Sequence, residues 1–259
     1  MAQTVNDILG DLCAENPTRF LGFASVPLPH VDAAIDELRR AMSKPGMVGA
    51  VLGTNILGMP LDAEEFQPFF EEANRLGLPL FVHPAAPRAM VNPEEYVLGP
   101  MVGFPFETVL TALRLGFSGT LDRFPDINLV FCHLGGAIPF LYGRFDSSFS
   151  RHPKAKFRTS TKPSDHLRRH YYDTALAFWA PPFRCGLEFL GPDHIVLGTD
   201  HPLALGEMAP TVRAIESFDI SGETKEKIFS ENARRILNVP EVMLEAHQLR
   251  TYNALLEET

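Results

Sequence analysis

Three residues stand where short apolar runs stop, and all three are of types that hold a divalent metal or move a proton. His83 closes Leu80-Phe81-Val82-His83, His133 closes Leu129-Val130-Phe131-Cys132-His133, and Asp200 closes Ile195-Val196-Leu197-Gly198-Thr199-Asp200. Each run has the length and apolar content of a fully buried parallel strand. Parallel α/β barrels put their chemistry at the C-terminal ends of such strands. A neutral imidazole suits His83 as a metal ligand. His133 opens His-Leu-Gly-Gly, where two glycines let the chain turn sharply over a ligand, and its imidazole can serve as an acid or base. A carboxylate at the end of a buried strand is costly unless paired or metal-bound, which assigns Asp200 to a metal and a proton. Each has a plainer alternative: a turn histidine before Pro84, a histidine in a glycine-rich turn, a helix N-cap. Three such strand ends in one chain favour a metal enzyme.

Other polar residues are secondary. Arg144 and Asp146 follow His133 by eleven and thirteen residues. They form a surface ion pair, or Arg144 clamps a carboxylate with its guanidinium fork. Glu107 is expected to be solvated or capping, and Phe178 and Trp179 to be core or pocket wall.

The elements that would position these residues alternate along the chain. Strands are expected at 20–28, 47–54, 80–83, 127–133, 172–175 and 195–199, each followed by a helical pattern. Ile35, Leu38 and Met42 carry the spacing of one helix, which Pro45-Gly46 stops. Asp62 is the expected N-cap of the next, Gly77 its stop, and a loop of about 18 residues follows His83. Further helices are expected at 106–117, 137–149, 183–190, 209–217 and 224–238, a polar loop at 150–165, and a terminal helix at 241–258. Repeated βα units imply a parallel sheet with right-handed crossovers. No nucleotide-binding glycine fingerprint is present.

Composition narrows the function classes. The 259 residues are 45% hydrophobic with a mean hydropathy near zero, enough for one large domain. A formal charge of −9 argues against general nucleic-acid or anionic-membrane binding. Cys13, Cys132 and Cys185 are too scattered for a disulfide framework or a thiolate zinc site, and Cys132 is expected in the core. A reducing, cytoplasmic setting follows, with no leader visible at residues 1–18. No apolar run reaches the roughly 18 residues of a membrane span.

Several stretches together resemble the amidohydrolase-related family, in the branch of aminocarboxymuconate-semialdehyde decarboxylase and the salicylate-type decarboxylases. They are FLGFASVPL, MVGAVLGTN, LPLFVHP, the long run FPFETVLTALRLGFSGTLDRFPDINLVFCHLGGAIPFLYGRFD, YYDTA, HIVLGTDHP and SENARRILN, spanning about residues 19–239. The resemblance implies a TIM-type (β/α)8 barrel and one divalent metal, zinc or otherwise manganese. It implies that His83 and Asp200 bind the metal, that His133 and Asp200 handle protons, and that Arg144 reaches the substrate carboxylate in a neighbouring subunit. A homodimer follows from the last point.

The pattern departs from the family at its start. The family's first strand carries His-x-His or Glu-x-His, and nothing like it precedes His83; His30 stands alone at a helix entry. Met1 falls within the helix before the family's third strand, so an N-terminally truncated barrel of about six βα units is expected. Three functions follow. The first is a metal-dependent non-oxidative decarboxylase of a small unsaturated or aromatic acid. The second is a hydrolase of an ester, lactone or amide on the same scaffold. The third is a catalytically incomplete fragment or pseudoenzyme, since catalytic zinc normally takes three protein ligands plus water.

Overall fold

A computed structural model describes residues 1–87, 92, 94–152, 157–175, 178–203 and 205–239. Six strands form one all-parallel sheet: β1 (Gly22–Ser25), β2 (Met47–Gly53), β5 (Pro79–His83), β6 (Asn128–Phe131), β7 (Tyr171–Asp173) and β8 (Ile195–Val196), in that spatial order. Between β2 and β5, a two-residue ladder of β3 (Asn55–Ile56) and β4 (Met59–Pro60) makes a separate hairpin. Register is regular where the site will form, with Gly53 opposite His83 and Val82 opposite Phe131. On one face Ala50, Leu52, Leu80, Val82, Leu129 and Phe131 are buried, and on the other Val130 and Val196 are buried with Phe81 packed against them. Continuous apolar runs are what a doubly covered parallel sheet requires.

Helices supply the cover. Val31–Met42 buries Ala34, Leu38 and Ala41, and Gln67–Arg75 buries Phe69, Phe70 and Ala73. Both are amphipathic at helical spacing, so burial of one stripe holds each to the sheet. The N-terminal helix Ala2–Glu15 does something further. The Asn6 side chain accepts the Ser25 N–H at 2.9 Å and donates to the Ser25 carbonyl at 2.9 Å, and also donates to Glu37. Ser25 lies on edge strand β1, so this carboxamide occupies the place of a neighbouring strand's peptide group and satisfies an otherwise open edge.

The expected strands are all present; four are shorter than expected, β5 begins one residue earlier at Pro79, and β7 is shifted to Tyr171–Asp173. The structure corrects the loop expected after His83: helical turns begin at Glu95 and join Phe104–Phe117. The resulting run, Glu95–Phe117, has the length and hydropathy to cross a membrane. Its helix buries Val109, Ala112 and Leu115 against the core. Asp62 is also not a cap; it receives the Arg114 guanidinium at 2.7 and 3.0 Å. The terminal helix expected at 241–258 lies outside the described residues.

Candidate active site

His83 is the last residue of β5, whereas His133 lies two residues beyond β6 and Asp200 four beyond β8. Strands β5 and β8 are three positions apart, which in a flat sheet is about 14 Å. Yet His83 Nε2 lies 3.3 Å from Asp200 Oδ1, and His133 Nε2 lies 3.7 Å from Asp200 Oδ2. The two imidazoles meet edge to face with centroids 5.7 Å apart. Curling of the sheet and the turns after β6 and β8 bring these groups together.

Those turns are unusual. His133, Leu134, Gly135 and Gly136 all have positive φ, and Asp200 does too. The left-handed conformation costs a non-glycine residue roughly 1–2 kcal/mol. The turn is held because the Gly135 and Gly136 N–H groups donate to the Cys132 and His133 carbonyls at 2.9 Å. Gly136 has no alternative: a Cβ there would sit 2.3 Å from the Pro105 carbonyl oxygen.

The donor set fits a divalent cation. His83 Nδ1 lies 3.2 Å from the Pro84 carbonyl, which can only accept, so the proton sits on Nδ1 and Nε2 presents a lone pair. That lone pair faces a carboxylate oxygen. His133 Nε2 is buried and has no hydrogen-bond partner among the described residues. An imidazole lone pair, an unpartnered imidazole nitrogen and a carboxylate facing one another suit a positive charge between them. His83 Nε2 and Asp200 would hold such an ion, with His133 Nε2 beside Asp200. Cys132 brings its sulfur near both imidazoles, but burial pushes its thiol far above the usual range, so it stays protonated and apolar. Burial also pushes the His133 imidazole below its ordinary value, with the Asp200 charge opposing, so His133 is neutral at physiological pH.

The trio opens into a cavity of about 1230 Å³. Its walls include Phe104, Phe140, Phe178, Trp179 and Leu203, a shape and chemistry for a flat apolar ring. Trp179 and Phe178 are therefore pocket wall. Arg144 is not in that wall. It lies exposed on the helix Ile138–Arg151, one turn beyond Phe140, which is 82% exposed at the cavity mouth. Asp146 is not its partner, since that carboxylate accepts the Ser164 N–H and hydroxyl at 3.0 and 2.6 Å. Glu107, expected in solvent, is buried at 1% exposure, with the Asn55 amide 3.4 Å away.

One residue of the site is invisible to sequence reasoning. Asp173 ends β7 inside Tyr-Tyr-Asp-Thr-Ala, where its alternation gives no sign of function. Its Oδ1 accepts the His133 N–H at 2.8 Å and the Ala175 N–H at 3.0 Å. Burial raises its pKa to about 7 against those two hydrogen bonds. Thr174 beside it exchanges hydrogen bonds with Gly198 N–H and carbonyl at 3.1 Å, lacing β7 to the chain that leads to Asp200.

A family model described as amidohydrolase matches residues 1–239. The chain is 32% identical over 241 residues to 2-amino-3-carboxymuconate-6-semialdehyde decarboxylase of Dictyostelium discoideum, covering 92% of this chain and 67% of that protein. It is 29% identical over 252 residues to gamma-resorcylate decarboxylase of a Rhizobium strain, covering 92% and 76%. Among solved structures it resembles 5-carboxyvanillate decarboxylase of Novosphingobium aromaticivorans, complexed with manganese and 4-hydroxy-3-methoxy-5-nitrobenzoic acid. There the TM-score is 0.85 at 27% identity, over 92% of this chain and 69% of that one.

Proposed function

Since this chain belongs to the amidohydrolase family, we propose that it is a metal-dependent, non-oxidative decarboxylase of a small aromatic or unsaturated carboxylic acid. The observation that carries this reading is the convergence of His83, His133 and Asp200 at the floor of a cavity walled by aromatic rings. When bound, a divalent ion there would polarise a substrate oxygen next to the carboxylate-bearing carbon. His83 and Asp200 would hold it; imidazole and carboxylate ligands without thiolate suit zinc first and manganese second. Asp200 or His133, after taking a proton from solvent, delivers it to the carboxylate-bearing carbon. The bond to the carboxylate then breaks, its electron pair returns to the π system, and CO2 leaves. The apolar walls exclude water and keep the ring flat against the floor.

Arg144 supports an arrangement in trans. It stands unpaired among the described residues on an exposed face shared with Phe140, beside the cavity mouth and outside its wall. A second copy seated over that mouth would present Arg144 to the first copy's substrate carboxylate, which makes the working unit a homodimer.

The test is direct. The purified chain is loaded with zinc or manganese and given 2,6-dihydroxybenzoate, 5-carboxyvanillate and related acids, with CO2 release as the readout. Metal-dependent CO2 release supports decarboxylation. Hydrolysis of aryl esters or lactones with no CO2 from any acid would favour the hydrolase reading instead. Neither activity, with no metal bound in a calorimetric titration, would favour the incomplete-site reading.

A further inference from the structure

The left-handed turn that carries His133 has an anchor outside the trio that faces the metal. Asp173 is 4% exposed, and its Oδ1 is shared between the N–H groups of His133 and Ala175. The other side of the carboxylate lies against Gly198, where a Cβ would come within 2.6–2.8 Å of Asp173 Cβ, Cγ and Oδ2. Glycine at 198 thus leaves room for this side chain between the ends of β7 and β8. Asp173 lines a smaller chamber of about 420 Å³ together with His83 and Asp200, and it is absent from the wall of the large cavity. It therefore sits behind the site, touching His133 through the main chain only.

We propose that Asp173 is a positioning residue, whose carboxylate holds the His133 N–H and so keeps the strained turn that aims the imidazole at Asp200. The geometry supports this role over a direct one. The one oxygen with resolved partners is committed to two backbone donors, and the residue it holds has φ of +57°, with Leu134 at +49° behind it. A turn with two consecutive left-handed non-glycine residues needs an external hold to stay populated. Residues that orient a catalytic or ligating histidine typically matter by roughly 10–100-fold when removed.

The inference rests on the decarboxylase reading for its kinetic readout alone; a spectroscopic readout stands apart from it. Three forms of the full chain are compared: wild type, Asp173→Ala and Asp173→Asn. Asparagine retains a carbonyl oxygen that accepts both N–H groups but has no charge. The Ala variant is expected to lose roughly 10–100-fold in kcat with KM within about twofold. In NMR spectra of the metal-free chain, its His133 amide should move upfield and its His133 ring resonances should shift. The Asn variant is expected to keep the amide and ring resonances and most of kcat. An Ala variant with unchanged kcat and unchanged His133 resonances overturns the proposal. So does an Asn variant that melts like wild type yet loses as much as Ala, since charge and not acceptance would then be the cause. Should Ala fail to fold, the Asn variant decides by the same measures. Should the chain release no CO2 at all, the decarboxylase reading fails while the His133 resonances still decide the role of Asp173.

Discussion

The two ends of this sheet each gather histidines, and only one end has what makes a histidine useful. At the C-terminal end, His83 and His133 face a carboxylate and an open cavity. At the N-terminal end, His170 directly precedes β7 and His194 directly precedes β8, with His166 in the short helix Pro163–Leu167 before them. His194 Nδ1 lies 3.1 Å from the His170 carbonyl, and His166 Nε2 lies 3.1 Å from the Thr159 hydroxyl. Neither ring nitrogen of His170 has a partner among the described residues. Burial drives its pKa to about 3, so it is a neutral, planar filler lying edge to face with Phe131. An unpartnered imidazole is thus common to both ends. What separates them is space for a ligand and a carboxylate shared by two imidazoles: Asp200 is 12% exposed and meets both rings, whereas at the other end His166 meets the more exposed Asp122, 3.7 Å away.

The largest effect should come from removing that carboxylate. Asp200→Asn is expected to abolish divalent-metal binding in a calorimetric titration and to cut CO2 release by roughly 10²–10⁴-fold, the range for a positioned acid or base. Its melting temperature should stay near that of wild type. A metal affinity equal to wild type would erase the distinction drawn between the two ends. His133→Gln comes next. Because burial lowers the His133 pKa, a proton that this ring delivers is held only below the ordinary 6.5, and any alkaline limb in kcat/KM that it sets lies below that value. The Gln variant should lose activity and that limb together in a pH–rate profile.

A smaller effect is expected at the mouth. Arg144→Ala should raise KM about tenfold or more, the cost of an unpaired carboxylate, with little change in melting. Mixing it with Asp200→Asn should restore activity, because a mixed dimer contains one site with both groups. Equal activity before and after mixing would place Arg144 outside the site.

The smallest effect belongs to the filler histidine. His170 has a folded pKa near 3 against about 6.5 unfolded, so between those values the unfolded chain binds more protons. Stability is therefore intact above about pH 6.5 and falls as pH drops towards 3, by at most about 1.4 kcal/mol per pH unit. His170→Leu should flatten that fall in denaturant titrations at pH 5 and change little at pH 8. Loss of CO2 release in this variant would show that the two ends are coupled after all.

Much of the scaffold was legible from local pattern. The apolar runs at 80–83, 128–131 and 195–196 became strands because a doubly covered parallel sheet demands continuous apolar residues. The helix Val31–Met42 followed from the spacing of Ile35, Leu38 and Met42. The stretch after His83 escaped because prolines and glycines there suggest a loop, while tertiary packing of Phe104–Phe117 extends the helical run back to Glu95. Asp62 and Glu107 escaped for a related reason. A capping or solvent role is the default for an acid near a helix start, and only contact with Arg114 or Asn55 overrides it.

The sequence by itself determined the kind of chemistry, because residue type settles what a side chain can ligate or protonate. His83, His133 and Asp200 are metal- and proton-competent wherever they stand, and Gly135-Gly136 announce a tight turn. Only the tertiary structure decided that the three meet. His83 and Asp200 are 117 residues apart along the chain, and the meeting depends on sheet curvature and two left-handed turns. It also decided that Asp173 belongs with them and Arg144 does not, within one chain. A side chain acting through another residue's N–H leaves no pattern in sequence, and an exposed arginine gains a role from whatever docks on it.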